Sequence, residues 1–170
     1  MKILVSILTI CSFLLFSGNE KEHVNYKEEM NKTFGKNSEI PELLAGEVAV
    51  INIWATWCGP CIREIPEMNK IVKEYEGKSV RFLAFSDEPM STFKAFQKKR
   101  PDFEFAYEVS FGNQKAINLL KSLEKQRGGS AIPIHILIDK EGQVVDVFIG
   151  ASSANIQKIK RFLNEHASAE

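Results

Sequence analysis

Metal-binding side chains are scarce in this sequence, which has three cysteines and three histidines in 170 residues. So few cysteines cannot build the several bridges of a disulfide scaffold. They also fall short of a structural zinc site, which wants four ligands. There is one Cys-x-x-Cys, no second one, and only His23, His135 and His166 to add to it. Charge of one sign is missing too: 22 Lys+Arg stand against 22 Asp+Glu, a formal net charge of zero. A nucleic-acid partner would call for a basic excess, and none is present. No apolar run reaches the ~20 residues that span a bilayer as a helix. Repeats and low-complexity tracts are absent as well. What is present is an apolar content of 44%, enough for one packed domain at this length.

The N-terminus reads as an export segment. Lys2 supplies a small positive region, and Ile3 to Phe16 is uncharged and mostly apolar, about the length of a signal peptide's core. Ser17-Gly18-Asn19 offers small residues for cleavage but fits the usual Ala-x-Ala pattern poorly, so an uncleaved anchor is a second expectation. Lipid attachment at Cys11 is a third, disfavoured by bulky Ile10 before it. The expected organisation is therefore a signal peptide or membrane anchor over residues 1–18, a polar linker over 19–37 with room for one helical turn or more, and a folded domain over 38–170.

The folded part is organised around Trp54-Ala55-Thr56-Trp57-Cys58-Gly59-Pro60-Cys61. An apolar run, Val48 to Ile53, precedes it, and helical spacing follows at Ile62, Ile65, Met68, Ile71, Val72 and Tyr75. A strand, a turn and a helix with two thiols at the junction are expected. Thiols at this spacing are neighbours on one face and close enough to be bridged or open. The helix N-terminus carries unpaired N–H groups and partial positive charge, which favour a thiolate at Cys58. A Cys-x-x-Cys site lowers a cysteine pKa from about 8.5 to roughly 3.5–7.5. Cys58 is then the nucleophile, reachable by substrate, and the more buried Cys61 resolves the mixed disulfide. Glu64 lies one turn beyond Cys61 on the same face, where a carboxylate can take the proton of the resolving thiol.

These residues resemble the thioredoxin superfamily, whose motif Trp-Cys-Gly-Pro-Cys stands here at Trp57 to Cys61. Asn52-Ile53-Trp54-Ala55-Thr56-Trp57 before the cysteines and Arg63-Glu64-Ile65-Pro66 after them are similar to the exported TlpA/ResA-like branch. The resemblance runs from about residue 40 to the C-terminus and implies the fold, an α/β three-layer sandwich with a central mixed sheet. It implies that Glu64 serves the resolving step, and that Pro133 is the cis-proline facing the cysteines, leaving the backbone of Ile132 free to pair with an extended client. Trp57, Gly59 and Pro60 complete the recognition surface, with Trp54 placed in the core. Asn52 departs from thioredoxin itself, which has an aspartate there. The branch commonly has asparagine at that position.

Further along, Pro66 is expected to kink the first long helix and Gly77 to stop it. Val80–Phe85 is a core strand, Ser91–Arg100 a helix, Phe103–Val109 a short alternating strand, and Asn113–Gln126 a helix. Arg127 to Ser130 reads as a flexible turn. Ile134–Asp139 and Val144–Ile149 form a hairpin, and a last helix follows Ser153. His135 alternates with Ile134 and Ile136 and so points to the opposite sheet face from them. The Phe-rich segment from Pro101 to Phe111 either shapes a client groove or packs the core.

The function implied is an exported, monomeric thiol–disulfide oxidoreductase that reduces disulfides in client proteins such as apocytochrome c. A membrane thiol donor would resupply it, with no cofactor and no metal. The Gly59-Pro60 dipeptide matches thioredoxin, a reductant near about −270 mV. The alternatives are a disulfide-forming oxidant and a copper- or partner-binding module. A peroxidase of the same fold is disfavoured by Ala55, where a threonine or serine is needed. Related copper chaperones space their cysteines differently.

Overall fold

The computed structural model describes residues 24–35, 40–125 and 131–167. Five strands form one sheet in the order β3-β2-β1-β4-β5. The centre is β1 (Val48–Ile53), flanked by β2 (Val80–Ser86) in parallel and β4 (Ile134–Ile138) in antiparallel. β3 (Glu108–Phe111) runs parallel to β2, and β5 (Val144–Ile149) pairs antiparallel with β4. The sheet is mixed because β1 to β2 crosses over through a helix, whereas β4 to β5 is a hairpin.

Alternation along β1 feeds two cores. Val48 and Val50 face α2 (Gly59–Glu74) and α5 (Ser153–His166), joined by Phe93 of α3 (Met90–Lys99). Ala49, Ile51 and Ile53 face α1 (Tyr26–Thr33) and α4 (Gln114–Leu123). β1 is buried on both faces, which explains its unbroken apolar run. The result is the expected α/β sandwich of three layers.

Two regions show more than the sequence pattern carried. Residues 19–37 read as a linker with room for one helical turn or more, and α1 lies within them and packs on the sheet. Asn25 caps it, accepting from the N–H groups of Lys27 and Glu28, and Met30 is fully buried. Three contacts dock it. The Tyr26 N–H donates to the Gly142 carbonyl at 2.8 Å. The buried Lys27 Nζ donates to the Glu47 and Lys140 carbonyls at 2.8 and 2.6 Å. Asn31 exchanges two 2.9 Å bonds with the Leu43 backbone. All these partners come from loops far along the chain, so local spacing carried no trace of them. Ser38, the expected domain start, and residues 1–18 lie outside the described residues.

The second region is Phe103–Val109. Only Glu108 to Phe111 pairs with β2. The preceding residues alternate in burial without being a strand, because their backbone is held by a side chain of α2. Asn69 donates to the Glu104 carbonyl and accepts from the Ala106 N–H, both at 2.9 Å. Their rings converge on the fully buried Trp54, with Phe105 at 4.6 Å, Phe93 at 5.8 Å and Phe103 and Phe111 both at 6.2 Å. Phe103 and Tyr107 are buried in the core, with Phe105 and Phe111 packed against it. The turn at 127–130 lies outside the described residues.

Candidate active site

Cys58 is the N-cap of α2 and has an extended backbone. Its Sγ accepts from the Cys61 N–H at 3.2 Å, so one orphan donor of the helix end is aimed at sulfur. Gly59 and Pro60 open the helix. Proline is tolerated there because a first-turn N–H has no intrahelical acceptor. α2 then continues through Pro66 to Glu74, so this proline does not end the helix. Cys58 and Cys61 are joined as a disulfide, with their Cα atoms 5.3 Å apart. Both are almost covered in this oxidised state, at 3% and 1% exposure, so the expected contrast between an open and a buried sulfur is slight.

The Ile132–Pro133 peptide bond is cis, as the resemblance implied. The Ile132 carbonyl oxygen lies 3.7 Å from Cys58 Sγ, so the loop before β4 faces the cysteine pair. Trp57 projects beside them and is 71% exposed, the most exposed of the large apolar side chains described. Trp57, Gly59 and Pro60 adjoin Cys58 in the chain, and the Ile132–Pro133 loop meets its sulfur through the Ile132 carbonyl.

The loop before Cys58 has an anchor that local sequence did not reveal. Glu88 accepts from the Thr56 N–H at 2.6 Å and from the Thr56 hydroxyl at 2.7 Å. Ser86 Oγ, at the end of β2, donates to the same carboxylate at 3.3 Å. Glu88 is 32 residues from Thr56, and only the β1–β2 pairing brings them together.

Glu64 is buried at 6% exposure. Asn52 Nδ2 donates to its Oε1 at 3.3 Å, and His135 Nε2 lies 3.1 Å from the same oxygen. Asn52 Nδ2 also lies 3.3 Å from His135 Nδ1. Asn52 and His135 are direct partners across the β1–β4 ladder, which puts both side chains on the sheet face carrying α2. The phenol of Tyr107 is buried nearby. Burial pushes its pKa well above the usual tyrosine value, and the charge of Glu64 adds to that rise. Alternation along β4 foretold that His135 opposes the neighbouring isoleucines. That its face is the one under α2 follows only from the sheet order.

A model of the Redoxin family matches residues 25–163. The thiol–disulfide oxidoreductase ResA of Bacillus cereus is 31% identical over 157 residues, covering 86% of this chain and 85% of that protein. The chain belongs to the Redoxin family, on its ResA-like branch. A second ResA, from Halalkalibacterium halodurans, is 30% identical over 76% of this chain and 67% of its own length. A thioredoxin-family thiol:disulfide interchange protein from Chlorobium tepidum superposes with a TM-score of 0.59 and 25% identity, over 73% of this chain and 82% of its own. This ResA-like protein is a thiol–disulfide oxidoreductase, and the Cys58–Cys61 pair is its exchangeable dithiol. Its partners are disulfide-containing proteins. Among the described residues no helix is long and apolar enough to cross a membrane.

Proposed function

We propose that the protein acts outside the cytoplasm as a reductant, passing electrons from a membrane thiol donor to disulfides of exported clients such as apocytochrome c. The single observation supporting a reductive dithiol cycle is the Cys58–Cys61 pair at the start of α2, facing cis-Pro133, with Glu64 buried one turn further along. The export segment expected at 1–18, whether cleaved signal or anchor, supports the location, the ResA relatives support the dithiol exchange, and the client class is what the resemblance to the exported branch implies.

In the cycle, the Cys58 thiolate attacks a client disulfide. A Cys58–client bond forms, and one client thiolate leaves and takes a proton from water. Cys61 then gives its proton to Glu64 and attacks Cys58 Sγ. The Cys58–Cys61 bond forms as the Cys58–client bond breaks, and the second client thiolate departs. The client gains two electrons and the protein ends as the disulfide seen here. A donor dithiol reverses these steps on the protein, so no cofactor or metal is required. Trp57, Gly59, Pro60 and the backbone of Ile132 seat the client segment.

The test is the reduction potential of the Cys58–Cys61 couple together with turnover of a disulfide protein such as insulin. A potential near that of thioredoxin, about −270 mV, with insulin reduction abolished by Cys58→Ser, is the expected result. A potential near about −120 mV, that of a strong oxidant, reverses the direction. Normal insulin reduction by Cys58→Ser removes the mechanism.

A further inference from the structure

Three adjacent buried side chains each leave a polar atom without a hydrogen-bond partner: Asn52 Oδ1, Glu64 Oε2 and His135 Nε2. Isolated polar burial of this kind is costly, and a cluster of it beside a reactive centre marks atoms kept for chemistry. The two oxygens of Glu64 differ. Oε1 meets Asn52 Nδ2 at 3.3 Å and His135 Nε2 at 3.1 Å, while Oε2 meets nothing. The Nε2–Oε1 contact is within ion-pair reach, but it lacks hydrogen-bond alignment in this oxidised state.

The tautomer of His135 follows from its neighbours. A carboxylate only accepts, so the end of Asn52 that it meets is the NH2 group. The same NH2 faces His135 Nδ1 at 3.3 Å, which makes Nδ1 an acceptor without a proton. The ring proton then sits on Nε2, 3.1 Å from Glu64 Oε1. The ring is held in this pose: it is fully buried and stacks on Phe148 with centroids 5.0 Å apart.

We propose that His135 is a positioning residue of the resolving step: with Nδ1 faced by the Asn52 amide, its Nε2–H lies beside Glu64 Oε1, holds that oxygen electrostatically and leaves Oε2 free for the proton of Cys61. This rests on Glu64 being the base of the cycle above. The bond balance is unchanged: Cys61 loses its proton to Oε2 as its sulfur bonds Cys58, and the departing thiolate leaves with the electron pair. Other charged groups around the pair are few. Arg63 and Glu67 of α2 line the shallow groove that Glu64 borders with Ser152 and Ser153 at the start of α5. Lys160 of α5 lies 3.5 Å from Glu67. Lys158 sits over the Phe148 ring and pairs with Asp146 of β5 at 3.2 Å. Tyr107 remains a neutral phenol across the neutral range.

A reduced sample mixed with excess aryl disulfide in a stopped-flow cell reads the two steps separately. The first aryl thiolate appears as Cys58 is captured, the second as Cys61 closes the ring. Loss of the N–H dipole held 3.1 Å from Glu64 Oε1 predicts that His135→Leu slows the second phase by about threefold to tenfold at neutral pH. It also moves that phase's pH midpoint upward, with the first phase unchanged. His135→Gln, which keeps a donor near Nε2, restores the second phase most of the way. In the wild type, nitrogen-15 imidazole shifts report an Nε2–H tautomer, a readout that needs no variant to fold. A missing first phase overturns the dithiol cycle itself. A normal second phase with unshifted pH midpoint in His135→Leu, no rescue by glutamine, or an Nδ1–H tautomer overturns the role of His135 alone.

Discussion

Glu88 can be removed without touching either cysteine, and the consequence can be worked out from three distances. Its carboxylate receives the Thr56 N–H at 2.6 Å and the Thr56 hydroxyl at 2.7 Å, with Ser86 Oγ at 3.3 Å. Hydrogen bonds to a charged group contribute about 1.5–3 kcal/mol each. The site is only partly buried, so water replaces part of what is lost, and the Ser86 contact is long. Taking the low end for the two short bonds, Glu88→Ala is expected to destabilise the oxidised protein by about 3 kcal/mol. Glu88→Gln is the control. Its amide oxygen can accept the Thr56 N–H while its amide nitrogen donates to the Thr56 hydroxyl, so both contacts survive without the charge. The expected loss is then about 1 kcal/mol. Urea denaturation reads both values, as a fall in midpoint at unchanged slope. The same loop delivers Cys58, so alkylation of the reduced protein should slow in Glu88→Ala more than in Glu88→Gln. A loss under about 0.5 kcal/mol for the alanine variant refutes the anchor, since that is the size of an ordinary surface substitution. Equal damage from both variants refutes the bonding scheme.

Two further outcomes are expected. Tyr107 is buried with its hydroxyl unpartnered and its pKa raised above the ordinary 10.0 by burial and by Glu64. The unfolded chain therefore loses this proton first as pH rises past 10.0, while the folded chain keeps it, and stability falls with pH from there. Tyr107→Phe removes that unpaired hydroxyl and should be at least as stable as the wild type near neutral pH. Above that point it should be the more stable by a margin growing about 1.4 kcal/mol per pH unit. Parallel alkaline stability curves for the two proteins, measured in the oxidised state, would falsify the buried-phenol account. Trp57 is 71% exposed and supports little of the core. Trp57→Ala should change unfolding stability by under about 0.5 kcal/mol. It should slow reduction of insulin several-fold while leaving a small disulfide almost unaffected, and equal slowing of both substrates would remove Trp57 from client recognition.

The chain's own pattern carried the chemistry and the sheet. Cys58 and Cys61 are close in sequence, so helix geometry alone makes them neighbours, and β1, β2 and β4 were readable because buried strands must be apolar. The cis bond at Pro133 came through the family resemblance, since an X-Pro bond says nothing locally about its isomer. Elsewhere the deciding contacts joined residues far apart. α1 looked like a linker because its buried face is little more than Met30, and its docking depends on the Leu43, Glu47, Lys140 and Gly142 backbone. Phe103 to Tyr107 alternated like a strand but found Asn69 instead of a neighbouring ladder. Alternation gives the period of a strand but not which layer covers which face. Only the order β2-β1-β4 could bring Asn52, Glu64 and His135 together on one side of the sheet.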